Sequence, residues 1–156
     1  MRPTLDAVLL ETAYVMSLRS TCSRAHVGVV VALDGRICAT GYNGAPRGLP
    51  HCDHDAAPDD AGCRTAAHAE ANAVAFAARH GVALDGATLY TTLSPCASCA
   101  MLIVNAGITR VIFAVGYRNA DGVGLLESAD VVVRSIDQLP QEPLIVSRWR
   151  TGSPGR

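Results

Sequence analysis

Two short motifs in the sequence contain residues suited to metal binding and proton transfer. The stretch RTAAHAEANAVAFAARH, residues 64–80, carries His68 and Glu70, and SPCASC carries Cys96 and Cys99. The first is predicted to be a helix because it is rich in alanine, and the second to open one after its proline. Two cysteines three residues apart at a helix start lie on one face, where the helix dipole stabilises thiolates. Two thiolates and an imidazole suit zinc, and three protein ligands leave a fourth position for water.

Glu70 has a chemical role if such a site is catalytic. A carboxylate beside the water can accept its proton and return protons to a ring nitrogen and a leaving amine. On an ideal helix the side chains of His68 and Glu70 lie about 200° apart. We therefore expect His68 to be the metal ligand and Glu70 to be the proton shuttle, and the two side chains to approach the bound water from different sides. Ordinary explanations are a surface histidine, a carboxylate that offsets the helix dipole, and a redox or structural Cys-x-x-Cys pair. The combination at two helix starts favours a catalytic zinc site.

The composition is that of a globular protein with an aliphatic core. Of the 156 residues, 49% are hydrophobic and 17% are charged, and the formal net charge is -1. We therefore expect one domain over residues 1–156, with a frayed tail from about residue 150. Scattered arginines predict no nucleic-acid partner, and no stretch is apolar enough to predict a membrane partner. Six cysteines without a visible secretory leader predict a cytoplasmic protein with reduced thiols.

Hydrophobic periodicity predicts the elements that position the two motifs. A helix over roughly residues 4–19 is followed by two strand-like runs, HVGVVVAL and RICATGY, around the turn Asp34-Gly35. A loop rich in Gly, Pro and Asp leads to the alanine-rich helix, which ends near Gly81. The segments ATLYTT, PCASCAMLIVNAG, TRVIFAV, DGVGLLESAD and VVVRSI then predict strand, helix, strand, short helix and strand. This order predicts an α/β sandwich with a mixed sheet, in which both motifs can meet at one edge.

The long loop carries a second group of potential metal ligands. Three cysteines and two histidines flank it or lie within it: Cys22, His51, Cys52, His54 and Cys63. A closed structural zinc site would hold in place a loop that is too polar to pack. The spacing does not decide which histidine would complete a set with the three cysteines. Cys38, on a predicted strand, is expected to be a buried small hydrophobic residue.

Three segments, taken together, resemble one enzyme family. HAEANAV, TLYTTLSPCASCAMLIVNAGI and GYNGAPRGLPHC are similar to segments of the deoxycytidylate (dCMP) deaminases in the cytidine deaminase-like superfamily. The similarity covers roughly residues 4–134. The His-x-Glu and Pro-Cys-x-x-Cys pattern is shared by zinc-dependent nucleobase deaminases in general. GYNGAPRG, followed by a Cys/His-bearing loop and RTAAHAE, resembles the dCMP branch and not the tRNA adenosine deaminases; free cytidine deaminases typically have a cysteine in place of His68.

The resemblance implies a fold, a reaction and a metal site. The fold would be a three-layer α/β/α sandwich with a five-stranded mixed sheet, in a homo-oligomer that is a hexamer in many members. The reaction would be the hydrolysis of dCMP to dUMP and ammonia. His68, Cys96 and Cys99 would hold the catalytic Zn²⁺, and Glu70 would move protons. Some members also hold a second zinc.

The resemblance also implies contacts to the substrate. Asn43 would contact the sugar, the backbone at Ala69 would face the base, and Tyr117 would lie near the pyrimidine. A 5′-phosphate requires arginine side chains or exposed backbone N–H groups. Arg24 and Arg47 are the candidates from the sequence for this contact, ahead of Arg118. Surface arginines in ordinary solvent contact are the alternative.

Other functions remain open from the sequence alone. A deaminase for deoxycytidine, a 5-substituted dCMP or a free nucleobase would use the same zinc chemistry with different pocket contacts. A deaminase that edits nucleic acids would need a basic stripe and stacking aromatic residues, of which the sequence gives little sign. In a non-catalytic zinc module, Glu70 would only cap its helix.

Overall fold

The computed structural model describes residues 2–54 and 63–136. Within these residues the chain forms four helices and five strands in the predicted order. Their bounds are α1 Leu5–Ser17, β1 Gly28–Leu33, β2 Arg36–Tyr42, α2 Ala69–His80, β3 Thr88–Leu93, α3 Ala97–Asn105, β4 Arg110–Val115, α4 Asp121–Ser128 and β5 Val132–Ser135. The expected frayed tail and the middle of the long loop lie outside the described residues. None of the described helices is long and apolar enough to cross a membrane.

The turn between β1 and β2 has the geometry that its sequence predicts. Asp34 and Gly35 have φ angles of 51° and 75°, the two positive values that a tight Asp-Gly hairpin turn requires. The strands pair antiparallel, with Gly28 opposite Tyr42 at the far end from the turn. The hairpin prediction is therefore confirmed, and it places Asn43, the residue after β2, beside the start of β1.

The five strands form one mixed sheet in the order β2-β1-β3-β4-β5. β1 is antiparallel to both β2 and β3, whereas β3, β4 and β5 are parallel to one another. Parallel neighbours need a crossover connection, and α3 and α4 supply the two crossovers. The predicted five-stranded mixed sheet is confirmed.

Helices cover both faces of this sheet, because alternate strand residues point to opposite sides. On one face, Val30 belongs to a buried cluster with Leu10 of α1. On the other face, Val31 belongs to a larger buried cluster with Ala73 of α2 and Ile103 of α3. The result is the predicted three-layer α/β/α sandwich with an aliphatic core.

The start of α2 differs from the sequence prediction. The prediction of a helix from residue 64 is wrong, because the helix begins at Ala69. Two backbone hydrogen bonds, of 2.9 and 3.1 Å, pair Ala67 with Gly44 and keep the preceding residues extended. His68 is also extended, with φ -70° and ψ 155°, so the ideal-helix angle between it and Glu70 does not apply. The helix ends at Gly81 in the left-handed conformation, as predicted.

Asp6, in the first turn of α1, links this helix to the sheet. It accepts hydrogen bonds from the Arg110 guanidinium at 2.8 and 3.1 Å and from the Tyr90 hydroxyl at 2.7 Å. Partial burial opposes its charge, but the hydrogen bonds from Arg110 and Tyr90 bring the pKa of Asp6 below its usual value. The charged network therefore fastens α1 across β3 and β4.

The substitution Asp6→Asn is expected to lower the free energy of unfolding by about 1 kcal/mol at pH 7, because a partly exposed charged network contributes modestly. The folded-state pKa is lowered, so the contribution is complete above about pH 4 and is lost as the pH falls further. Urea unfolding at pH 7 and at pH 3 measures this. A difference between the two proteins that is as large at pH 3 as at pH 7 would contradict the charged interaction.

Candidate active site

The N-termini of α2 and α3 bring His68 and two cysteines together. His68 is the N-cap of α2, Cys96 is the N-cap of α3, and Cys99 lies in the first turn of α3. Neither N-cap side chain makes a capping hydrogen bond to its own helix. Instead, Nδ1 of His68 lies 3.5 Å from Sγ of Cys96 and 3.4 Å from Sγ of Cys99. The two motifs therefore meet at one place, as the sequence predicts.

The spacing of these three atoms fits a zinc ion. Zinc–sulfur and zinc–nitrogen bonds of about 2.3 and 2.0 Å at a tetrahedral angle place the two ligand atoms about 3.5 Å apart. The three ligand atoms all lie within 4.8 Å of one another. Cys99 is buried, Cys96 is half-buried and His68 is exposed, so the group opens to one side. An open group of three ligands is the arrangement of a catalytic zinc site.

Glu70 is the carboxylate at this group. Its side chain is only 4% exposed, and it lines the cavity beside the three ligands. Burial raises the pKa of Glu70 above its usual value, against opposing contributions from its own backbone N–H, from His68 and from Cys99. A carboxyl group whose pKa is shifted toward neutrality can both accept and donate a proton during a reaction.

The chemistry of the donor set also suits a cation. Burial raises the pKa of the Cys99 thiol, and the neighbouring Glu70 carboxylate and Cys96 thiol raise it further. A carboxylate and two thiolates this close to one another repel. A bound divalent cation reverses this effect and deprotonates coordinating thiols. The residues present therefore fit zinc by charge as well as by spacing.

A cavity of about 270 Å³ opens beside the three ligands. This volume is near the lower end of small-molecule sites, which begin at about 300 Å³. Residues from the α1–β1 connection, the ends of β2 and β3, the start of α2 and the segment after β4 surround it. They are Cys22, Arg24, Ala25, Val27, Asn43, Cys63, Ala66, His68, Ala69, Glu70, Leu93, Ser94, Cys96, Tyr117 and Arg118.

Most of the residues predicted to contact substrate lie at this cavity. Those that line it are Arg24, Asn43, Ala69 and Tyr117. Arg118 also lines it, although sequence reasoning ranks it behind Arg47. Arg47 is exposed and is not among the lining residues of the described chain. It lies in a tight turn, in which the Leu49 N–H donates to the Pro46 carbonyl at 3.0 Å.

Asn43 makes contacts that the sequence does not predict. Its Oδ1 accepts a hydrogen bond from the Val27 N–H at 2.8 Å, and its Nδ2 donates to the Ala25 carbonyl at 2.7 Å. Both contacts hold the backbone between α1 and β1 at the rim of the cavity. Each end of the amide can still make one further hydrogen bond, so the side chain can hold this segment and face a ligand at once.

Ser94 is a cavity residue that sequence reasoning missed. It is buried, and its Oγ accepts a hydrogen bond from the Tyr117 N–H at 2.7 Å. Its own N–H donates to the Val115 carbonyl at 2.8 Å. Ser94 thus fixes the backbone that carries Tyr117 at the cavity. Its position directly before Pro95 in the SPCASC motif is the one sequence signal that pointed to it.

A second group of metal-ligand side chains lies next to the first. The members, whose ligand atoms lie within 4.8 Å of one another, are Cys22, Cys52, His54 and Cys63. His51 is exposed and is not a member of the group. The Nε2 atom of His54 is buried without a hydrogen-bond partner in the described part of the chain. Four soft or borderline donors without an open position fit a structural zinc ion. Cys38 is half-buried against the core and is not part of either group.

The arrangement defines a class of protein. Two helix starts bring a histidine and two cysteines together beside a small cavity that a buried glutamate also lines, and this arrangement matches the pattern of zinc-dependent nucleobase deaminases. Residues 3–115 match the family described as "Cytidine and deoxycytidylate deaminase zinc-binding region". Zinc is therefore the cofactor.

Individual relatives show which family within this class the chain resembles. The chain is 36% identical to the deoxycytidylate deaminase of Saccharomyces cerevisiae, over 94% of this chain and 49% of the yeast protein, so it spans about half the length of that relative. It is 31% identical to the deoxycytidylate deaminase of Enterobacteria phage T2, over 87% of this chain and 94% of the phage protein. The chain belongs to the deoxycytidylate deaminase family.

A solved structure agrees with this assignment. The dCMP deaminase of cyanophage S-TIM5, crystallised in complex with dCMP and dUMP, superposes with a TM-score of 0.78. The two sequences are 33% identical, and the match covers 87% of this chain and 99% of the phage chain.

Proposed function

We propose that this protein catalyses the hydrolytic deamination of dCMP to dUMP with release of ammonia. The observation that carries the proposal is the group formed by His68, Cys96 and Cys99 beside a cavity that buried Glu70 also lines. The S-TIM5 relative supports the substrate, because it was crystallised with dCMP and dUMP. Arginine side chains at the cavity are suited to the phosphate of a nucleotide.

In this proposal His68, Cys96 and Cys99 would hold zinc, which would supply Lewis-acid activation of the attacking water. Glu70 accepts the proton that water gives up when its oxygen bonds to C4 of the cytosine ring. The protonated carboxyl group gives this proton to the ring nitrogen N3. It then takes the second proton from the new C4 hydroxyl group and passes it to the amino group, which leaves as ammonia while C4 becomes a carbonyl carbon.

The proposal also assigns the substrate contacts. The backbone at Ala69 faces the base, Tyr117 lies beside the pyrimidine, and Asn43 contacts the sugar with the hydrogen-bonding capacity that its backbone contacts leave over. Arg24 binds the 5′-phosphate, because it lines the cavity on an exposed segment. Arg47 is the other candidate from the sequence, but its position outside the cavity lining does not support a contact with the phosphate.

A structural zinc ion is proposed for the group formed by Cys22, Cys52, His54 and Cys63. The buried, unpartnered Nε2 of His54 supports this assignment. It also supports His54 over His51 as the histidine ligand.

We further propose a homo-oligomer in the cytoplasm, formed by a single domain. All six cysteines are free, which suits a reducing compartment. Large apolar side chains on the outer faces of α2 and α3 are available for a subunit contact, since Phe76, Met101 and Leu102 are 48%, 51% and 41% exposed.

The test is a panel of substrates followed by the loss of ultraviolet absorbance on deamination. The panel contains dCMP, CMP, deoxycytidine, cytosine, dCTP and single-stranded oligonucleotides, each with and without a chelator. We expect dCMP to give the highest kcat/KM and the chelator to abolish turnover. Turnover of deoxycytidine or an oligonucleotide without turnover of dCMP would contradict the substrate while retaining the reaction.

A further inference from the structure

The connection between α1 and β1 joins the two groups of metal ligands. This connection, the 21–27 segment, contains Cys22 of the second group near its start and Val27 at the cavity near its end. Arg24 lies between them, exposed and at the cavity. Its position therefore depends on how firmly the segment is held at both ends.

Asn43 holds the end of the 21–27 segment nearer to β1. Its side chain bonds the Val27 N–H at 2.8 Å and the Ala25 carbonyl at 2.7 Å. Its backbone N–H donates to the Val27 carbonyl at 3.1 Å, and its carbonyl accepts from the Thr21 N–H at 3.3 Å. One buried residue thus contacts the segment on both sides of Arg24.

The second group of metal ligands holds the other end. Cys22 is a member of it, and the His54 N–H donates to Ser23 Oγ at 3.1 Å. Ser20 Oγ accepts from the Cys22 N–H at 3.2 Å and donates to the Ala25 carbonyl at 3.1 Å. The residues directly before Arg24 are therefore fastened to a metal ligand and to the loop that carries His54.

We infer that the second metal group, acting through the 21–27 segment, positions Arg24 for the phosphate and so determines the preference for a nucleotide over a nucleoside. The inference rests on the proposed function and extends it. In it Cys52 and His54 are positioning residues, since neither lines the cavity in the described part of the chain.

The physical reason is the cost of ordering a long side chain and its loop on binding. When the metal already fixes the segment, this conformational entropy is lost during folding. Arg24 then binds the phosphate with little further loss of entropy. A nucleoside makes no contact with Arg24 and gains nothing from the fixed segment. Loss of the second metal should therefore weaken dCMP binding more than deoxycytidine binding.

The experiment compares binding in a Glu70→Gln background, in which turnover does not interfere. Calorimetry gives Kd for dCMP and for deoxycytidine, and elemental analysis gives zinc per chain, with and without His54→Asn. We expect zinc to fall from two ions to one and the preference for dCMP over deoxycytidine to fall about tenfold, the scale of one charge-assisted hydrogen bond. His51→Asn is the matched control, because His51 is exposed and outside the group; it should keep two zinc ions and the full preference.

A second substitution tests whether Arg24 carries the effect. In a protein that already carries Arg24→Gln, adding His54→Asn should not lower the preference for dCMP over deoxycytidine any further, because the two changes act on one interaction. If the His54→Asn protein holds one zinc ion and still has the full preference for dCMP, the inference is overturned. It is also overturned if that variant retains two zinc ions. Additive losses in the double variant would also overturn it.

Ser20→Ala addresses the case in which His54→Asn does not fold. It removes two hydrogen bonds from the segment and leaves every metal ligand in place, so two zinc ions and a reduced preference for dCMP are expected. An unreduced preference would count against the inference. Equal affinities of the Glu70→Gln protein for dCMP and deoxycytidine would overturn the inference, even if the unsubstituted protein deaminates dCMP. If the unsubstituted protein does not deaminate dCMP, the proposed function alone is refuted.

Discussion

Replacing Glu70 with glutamine is expected to lower kcat for dCMP by about 10²- to 10⁴-fold, the usual contribution of a general acid–base group. The amide has nearly the same size as the carboxyl group but cannot accept and return protons. It is also neutral, so it removes the cost of burying a charge, and the free energy of unfolding should not fall. Steady-state kinetics, zinc analysis and urea unfolding on the same preparation measure the three quantities.

The control for this prediction is Glu127→Gln. Glu127 is exposed in the last turn of α4 and lies outside both groups of metal ligands, so kcat should remain at the level of the unsubstituted protein. If Glu70→Gln deaminates dCMP at the normal rate with zinc in place, Glu70 does not transfer protons. The non-catalytic role of a helix-capping residue would then account for its position.

The second large effect is expected from Gly122→Ala, which adds one methyl group behind the metal ligands. A Cβ atom at Gly122 in α4 would overlap the carbonyl oxygen of Pro95 and the backbone of Cys96. Because these atoms are backbone, α3 or α4 must shift. We expect a loss of about 1–3 kcal/mol in the free energy of unfolding, together with less zinc per chain and a lower kcat. Urea unfolding and elemental analysis provide the measurements.

Gly124→Ala is the matched control, since it places the same methyl group two residues further along the same helix. Nothing lies within 4 Å of a Cβ atom there. Alanine in a helix restricts the unfolded chain, so a gain of about 0.4–1 kcal/mol is expected without a change in zinc content. Equal stability and equal zinc in the two variants would show that the α4 contact does not position Cys96.

Local sequence signals were sufficient for most of the fold and for the close approach of the two motifs. Asp34-Gly35 predicts its hairpin because the turn depends on two adjacent residues. Cys96 and Cys99 predict a ligand pair because their spacing places both at one helix start. The meeting of these cysteines with His68 follows from the order of helices and strands.

The features that sequence reasoning missed depend on contacts between distant parts of the chain. α2 begins at Ala69 and not at residue 64 because Ala67 pairs with Gly44, which belongs to another loop. His54 joins the cysteines, and His51 does not, because of the path of that loop in space. The backbone contacts of Asn43 likewise join segments that are separate in the sequence. Residue types and spacing carry no information on such pairings.

The positions of the ligands along the chain determine which segments each metal ion would cross-link. The proposed structural site would join residues 22–63 into one closed loop, and the catalytic site would join residues 68–99 into the next. The two loops follow one another without overlap, so each zinc ion would act as an independent cross-link. By analogy with a disulfide, closing loops of this length restricts the unfolded chain by about 3–4 kcal/mol each. Removal of one ion would therefore open one of these loops and leave the other closed.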